Sequence, residues 1–222
     1  MKSLVIAIDG PSGAGKGTVA RAAAARLGYR HVDTGAMYRG VAWKAVQQRV
    51  DLSDEEAVVG VARHAQLDVS NGVCTVDGED VKGAIRTPEI DAAAAAVARL
   101  PRVRQILIAQ QREMGQGGGV VMEGRDIGTV VFPDADVKVY LDASPEERAR
   151  RRAFDPAHAA GQGAAAVSEV ATALAARDRS DSTRPTSPLA QAADAVRIDT
   201  TGLSIEDVVS RVLALVEQRS RM

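Results

Sequence analysis

Residues Gly10-Pro11-Ser12-Gly13-Ala14-Gly15-Lys16-Gly17-Thr18 set four glycines around one lysine and end on a threonine hydroxyl. Glycine lets successive backbone N–H groups converge on an anion without Cβ interference. Gly10 to Lys16 follow the phosphate-binding spacing G-x-x-x-x-G-K, in which the lysine ammonium reaches the terminal phosphates of a nucleotide. The apolar run Val5-Ile6-Ala7-Ile8 precedes this turn and an Ala-rich helical stretch follows it. The unpaired N–H groups and partial positive charge of a helix N-terminus therefore face the same anion. Gly17 departs from the general pattern, which has Ser or Thr directly after the lysine; here the hydroxyl comes at Thr18. Thr18 is the candidate for contact with the phosphates or, through water, with a metal ion. The segment is read as a nucleoside-triphosphate site.

Phosphoryl transfer needs in-line positioning, exclusion of water and positive charge around the moving group. Of the 28 basic residues 23 are arginine, whose planar fork matches phosphate oxygens. Arg148, Arg151 and Arg152 have the i, i+3, i+4 spacing of one helix face, with Arg150 pointing elsewhere into solvent. Alone this is a charged face neutralised by Glu146 and Glu147; beside a phosphate site and a Gly-rich segment it reads as a phosphate-closing lid. Arg177-x-x-x-Asp181-x-x-Arg184 is either a polar helix end or a pair of groups for a sugar hydroxyl and a phosphate. Arg125-Asp126 directly follows a strand and so faces the ligand, with a structural ion pair as the alternative. His31, His64 and His158 read as structural or solvated, since an acceptor phosphate needs no strong base.

The 222 residues, 45% hydrophobic and 26% charged, suit one α/β domain with insertions. A formal net charge of −1 gives no footprint for a nucleic-acid polymer or an anionic membrane. Cys74, the single cysteine, excludes an intramolecular disulfide and a cysteine metal cluster, and reads as an inert, partly buried thiol. No apolar run approaches membrane-spanning length, and the opening Ser3-Leu4-Val5-Ile6-Ala7-Ile8 is expected to be a core strand rather than a signal segment. The expectation is a soluble, cytoplasmic monomer.

The elements that must position these residues are legible in outline. A strand at about 3–9 leads into a helix at about 15–27 stopped by Gly28, then a short strand at 29–32 and a helix opened by Asp33-Thr34-Gly35. Ser53 and Glu56 have capping-box spacing for a third helix at about 54–66. Three short strands follow, with Asn71-Gly72 and Asp77-Gly78 as tight hairpin turns, and then a helix from Thr87-Pro88-Glu89 through Ala92–Ala96. Residues 67–100 are read as an insertion into a core of about 1–66 and 101–222. That core continues with a helix at 101–114, strands at 120–122 and 137–141, and a helix opened by Ser144-Pro145-Glu146-Glu147. A further helix ends near Arg184, and a strand at 196–199 precedes a helix from Ser204-x-x-Asp207. Alternating strands and helices imply a parallel sheet covered on both faces, with ligands beyond its carboxyl edge. Gly10–Thr18, Asp33-Thr34, Glu123, Arg125-Asp126 and Asp142 then share one rim.

The phosphate-binding segment together with Asp33-Thr34-Gly35-Ala36-Met37-Tyr38-Arg39, Glu123-Gly124-Arg125-Asp126-Ile127-Gly128-Thr129 and Arg177-x-x-x-Asp181-x-x-Arg184 resembles the bacterial cytidylate kinases, over about residues 3–216. Ile85-Arg86-Thr87-Pro88 and Pro101-Arg102-Val103-Arg104 match that family too. The resemblance implies a P-loop NTPase-type three-layer α/β/α fold, a nucleoside-monophosphate-binding region at about 67–100 and a short helical lid at about 148–165. It implies ATP-dependent phosphorylation of CMP and dCMP with Mg2+. Gly10 to Thr18 would hold ATP, with Lys16 following the transferred charge. Arg39, Arg125 and Arg184 would bind the acceptor phosphate near Tyr38, and Thr34 would lie in the acceptor site. Arg104 and Asp126 match readers of cytosine, and Arg177 and Asp181 a pentose-binding pair. Lys16, Arg125, Arg148, Arg152 and Arg184 are the implied catalytic set, the lid arginines coming from Arg148, Arg151 and Arg152. A serine that reads cytosine in some members falls at Ala95, and losing one such hydrogen bond, worth about 1 kcal/mol, loosens selectivity against UMP. The nearest rival is another P-loop kinase acting on UMP, AMP or a non-nucleotide acceptor. A guanine-reading Asn-Lys-x-Asp motif is impossible, because Asn71 is the only asparagine and Gly72 follows it.

Overall fold

A computed structural model of the chain describes residues 3–155 and 164–221. His158 and part of the expected lid lie outside the described residues.

The first strand, β1 (Val5–Asp9), enters the glycine-rich turn, and Gly15 (φ 87°) and Gly28 (φ 66°) bracket α1 (Lys16–Leu27) in left-handed conformations that suit glycine. β2 (Arg30–Asp33) runs directly into α2 (Thr34–Gln47), because the Asp33 carboxylate caps the helix by accepting from Ala36 N at 2.9 Å. α3 (Glu55–His64) starts one residue later than the sequence suggests, with Asp54 rather than Ser53 as its cap. Asp51 Oδ1 captures both the N–H and the hydroxyl of Ser53, and Glu56 turns outward to Arg102.

The insertion is an antiparallel meander of β3 (Leu67–Asp68), β4 (Thr75–Val76) and β5 (Glu79–Asp80), followed by α4 (Pro88–Val97). Asn71-Gly72 (φ 50° and 82°) and Asp77-Gly78 (φ 53° and 85°) supply the paired positive φ angles of type I′ turns. Its buried residues Val69, Val76, Ile85, Ile90 and Val97 belong to one apolar cluster with Met37, Val41 and Val58 of α2 and α3. The insertion therefore shares its core with the rest of the chain.

α5 (Pro101–Gly115), β6 (Val120–Glu123), a π-helical turn (Ile127–Val131), β7 (Val137–Asp142), α6 (Pro145–Ala153), α7 (Ala164–Ser182), β8 (Val196–Asp199) and α8 (Ile205–Ser220) complete the order. Five parallel strands lie side by side as β2-β6-β1-β7-β8. One face carries the cluster shared with α2 to α5, the other a cluster in which α1 and α8 pack on β1 and β7. This is the expected α/β/α arrangement. β1 is central, with a neighbour on each side that arrives later in the chain, so the crevice at its carboxyl end is where a ligand is bound in such sheets. No described helix is long and apolar enough to cross a membrane.

Candidate active site

A cavity of about 1290 Å³ crosses the carboxyl edge of the sheet. Ser12 to Val19 form its wall at one end. Gly10 and Pro11 lie beneath that wall: a Cβ on Gly10 would stand 2.0 Å from the Leu141 carbonyl oxygen, and the Pro11 carbonyl accepts from Lys16 Nζ at 2.7 Å. Burial, and then the nearby Arg125, push the Lys16 pKa down to about 7. Gly17 has a steric reason of its own, since a Cβ there would sit 2.9 Å from Glu123 Oε1. That carboxylate is buried at the end of β6, lines the cavity with Thr18, and meets His31 Nε2 at 3.2 Å.

The other end of the cavity gathers the acceptor-side residues of the sequence reading. Thr34, Tyr38, Arg39, Arg104, Arg125, Asp126, Arg177, Asp181 and Arg184 all line it, as does Ala95. Arg104 Nη2 pairs with Asp126 Oδ2 at 2.5 Å, both side chains buried, and its guanidinium carbon lies 5.3 Å from the Tyr38 ring centroid. Burial pushes the Tyr38 hydroxyl up to about 12, so it stays a neutral donor. Arg39 donates to Asp33 at 3.1 Å. Burial alone would raise Asp33, but Arg39, the Ala36 N–H and Arg86 hold it below the ordinary carboxylate range. Arg125 Nε donates to Asp181 at 2.9 Å, with Arg184 at 3.7 Å from the same carboxylate. Against burial, Arg125, Arg184 and Arg177 keep Asp181 ionised, with its pKa lowered. Arg104, Arg125 and Arg184 also donate to the backbone carbonyls of Ala98, Gly124 and Ser187, so each is oriented from more than one side and would meet an anion through its remaining N–H groups.

The arginines of α6 do not act as one face. Arg152 lines the cavity and binds Asp91 of α4, while Arg151 lines it and donates to Thr200 and Glu147. Arg148 is off the cavity wall: it donates to the Ser12 carbonyl and pairs with Asp178, and its backbone packs on Gly13. Arg150, expected to point elsewhere into solvent, is largely exposed and paired with Glu147 but lines the cavity too. Asp142 ends β7 on the rim but is engaged by Arg197 at 2.7 Å and does not line the cavity. Cys74 is buried, and burial pushes its thiol up to about 11, which keeps it unreactive.

Three features escape the sequence reading. Glu123 is placed there only on the rim, although an apolar strand ending in an acid beside the phosphate-binding strand is a usable signal. Asp9, read merely as the end of β1, accepts from Ile127 N at 2.8 Å and Gly128 N at 2.7 Å and so fixes the turn that carries Arg125 and Asp126. Burial pushes Asp9 up to about 6 even against these two bonds. Finally, the cavity extends past Thr18 and Arg21 to Thr200, Leu203, Ser204 and Ile205, a slot with no motif to announce it.

A model of the family described as cytidylate kinase matches residues 6–218. A cytidylate kinase of Solibacter usitatus is 48% identical over 218 residues, which cover 98% of this chain and 94% of the relative. One from Geobacter sulfurreducens is 49% identical over 226 residues, covering 99% and 95%. A bifunctional pantoate ligase/cytidylate kinase of Synechococcus is 49% identical over 213 residues, covering 94% of this chain and 43% of the relative.

Proposed function

The chain belongs to the cytidylate kinase family, and we propose on that premise that it transfers the terminal phosphoryl group of ATP to CMP and dCMP. The observation that carries the reading is one continuous cavity with the phosphate-binding turn at one end and the buried Arg104–Asp126 pair at the other. An acceptor phosphate oxygen forms the new bond to the γ-phosphorus as the bond to the bridging oxygen of ADP breaks. In this reading Gly10 to Thr18 hold the donor phosphates, and Lys16 leaves the Pro11 carbonyl to follow the charge. Arg39, Arg125 and Arg184 bind the acceptor phosphate. Arg104 and Asp126 read the amino and ring-nitrogen edge of cytosine, and Arg177 with Asp181 holds the sugar. Arg152 and Arg151 face the transferring group from α6. Arg148 serves the donor site from behind, by fixing Ser12. The slot at Thr200–Ile205 takes the adenine.

Kinases of this kind work with a divalent cation, read here as Mg2+, which neutralises charge on the donor phosphates. Thr18 and Glu123, together on the cavity wall, would hold its water shell. The insertion at 67–100 is the monophosphate-binding region and α6 the start of the lid. The same reading makes the protein a cytoplasmic monomer acting on free nucleotides, checked by its elution as a single chain.

ADP release measured with CMP, dCMP, UMP and AMP tests the assignment. Turnover is expected on CMP and dCMP first and on UMP more weakly; preferred phosphorylation of AMP would refute it. Arg125→Ala lowers activity on every acceptor, whereas Asp126→Ala falls hardest on cytosine substrates. Equal losses on CMP and UMP would remove Asp126 from base reading.

A further inference from the structure

Asp91 joins two residues of the cavity wall while standing off that wall itself. From α4 its Oδ2 accepts from Arg152 Nη2 at 2.5 Å and its Oδ1 from Arg177 Nη1 at 3.0 Å. The side chains of Arg152, Asp91 and Arg177 are 16%, 20% and 19% exposed, so the trio is largely withdrawn from solvent screening. Other arginines around the site are backed by carboxylates from outside the insertion: Arg125 by Asp181, Arg148 by Asp178, Arg151 by Glu147 and Arg39 by Asp33. Among these carboxylates Asp91 alone reaches from the insertion, and it grips one guanidinium from α6 and one from α7.

Two half-buried cations side by side repel each other and drift apart unless an anion fixes their separation. Burial and the neighbouring guanidiniums already press both below the ordinary arginine range, Arg177 through Arg125 and Arg152 through Arg177 itself. A single carboxylate that gives one oxygen to each sets their spacing and their planes. A carboxylate that substrate phosphates must displace would stand in the cavity with the arginines; Asp91 stands behind them.

We infer that Asp91 is a positioning residue for phosphoryl transfer, holding Arg152 and Arg177 from the insertion in the orientation in which they meet the nucleotides. The inference rests on the roles proposed above for those two arginines. Its test compares Asp91→Ala, Asp91→Glu, Arg152→Ala, Arg177→Ala and the Asp91→Ala/Arg152→Ala double variant by steady-state kinetics, nucleotide binding and thermal melting. Asp91→Ala is expected to lower kcat on the order of tenfold while KM for CMP and ATP moves less than about threefold. Asp91→Glu, which keeps the charge, recovers most of that loss. In the Arg152→Ala background the further loss shrinks to less than about threefold, the non-additivity of groups acting as one unit. A lowered melting temperature with unchanged kcat would reduce Asp91 to a structural tie, and tighter nucleotide binding with full turnover would make it a displaced anion; either overturns the inference. If Arg152→Ala and Arg177→Ala keep full turnover, the proposed arginine roles fall and the inference with them. If those variants lose turnover and Asp91→Ala does not, the inference alone falls.

Discussion

Lys16 carries a consequence for pH. Its folded pKa of about 7 lies below the ordinary 10.5, chiefly because burial disfavours the ammonium. For a depressed base the linkage runs one way: the stability tied to its neutral form is complete above about 10.5 and is lost as pH falls through about 7. Donor phosphates reverse the preference, so ATP binding takes up a proton wherever the free enzyme has lost one. At about pH 8 calorimetric titration in buffers of different ionisation enthalpy should show close to one proton gained per ATP, and affinity should fall by up to about tenfold per further pH unit. Lys16→Arg should abolish the uptake; wild type with none would contradict the neutral lysine. Gly17 offers a steric counterpart. An alanine there meets Glu123 Oε1 at 2.9 Å, and that same oxygen is held by His31 Nε2 at 3.2 Å. Gly17→Ala should lose most turnover while melting as a folded protein, and Glu123→Asp in the same chain should restore part of it by shortening the obstacle. Full activity in the single variant would dismiss the clash. The phosphate-binding turn is legible because it is a local chain property, backbone N–H groups arranged by nearby glycines. The reason for Gly17 is not, because Glu123 arrives from another strand.

At the level of elements, the turn after β6 depends on β1. Both oxygens of Asp9 are used by the Ile127 and Gly128 N–H groups, at 2.8 and 2.7 Å, deep below the surface. Asp9→Ala leaves two buried donors unpaired, a cost of about 1–3 kcal/mol for each. It should also loosen the π-helical turn and so the Arg104–Asp126 pair at 2.5 Å. The expected result is a lowered melting temperature together with CMP-to-UMP discrimination that declines more than ATP affinity; unaltered discrimination would separate Asp9 from the acceptor site. Helix starts were the easiest part of this architecture to read, because a cap is a short-range contact. Thr87, Ser144 and Ser204 all cap where sequence places them. Ser53 fails for an equally local reason, its capture by Asp51, which spacing rules do not weigh. The arginines of α6 show the limit. Helical spacing puts Arg148, Arg151 and Arg152 together, but their partners Asp178, Thr200 and Asp91 come from three other parts of the fold.

For the whole molecule, the division into core and insertion is topological rather than mechanical. Turn dipeptides and the change from long helices to short strands mark the insertion in the sequence, yet nothing local tells that Ile85, Ile90 and Val97 will be buried with Met37 and Val41. Periodicity shows that a face is apolar and is silent on which other face covers it. Since the insertion, α2, α3 and the sheet share one apolar cluster, losing any of them exposes the rest, and unfolding should be a single cooperative event. Trp43, the only tryptophan, packs on that cluster from α2, whereas far-UV circular dichroism also reports α1 and α8 on the opposite face. Urea transitions followed by the two signals should coincide in midpoint and slope. CMP at about 100 times its dissociation constant should move both together by about 2.7 kcal/mol, because it binds only the folded form. A tryptophan transition that precedes the circular-dichroism transition would mean that the layer of α2, α3 and the insertion opens by itself. The buried Arg104–Asp126 pair would then be assembled on binding rather than held ready by the fold.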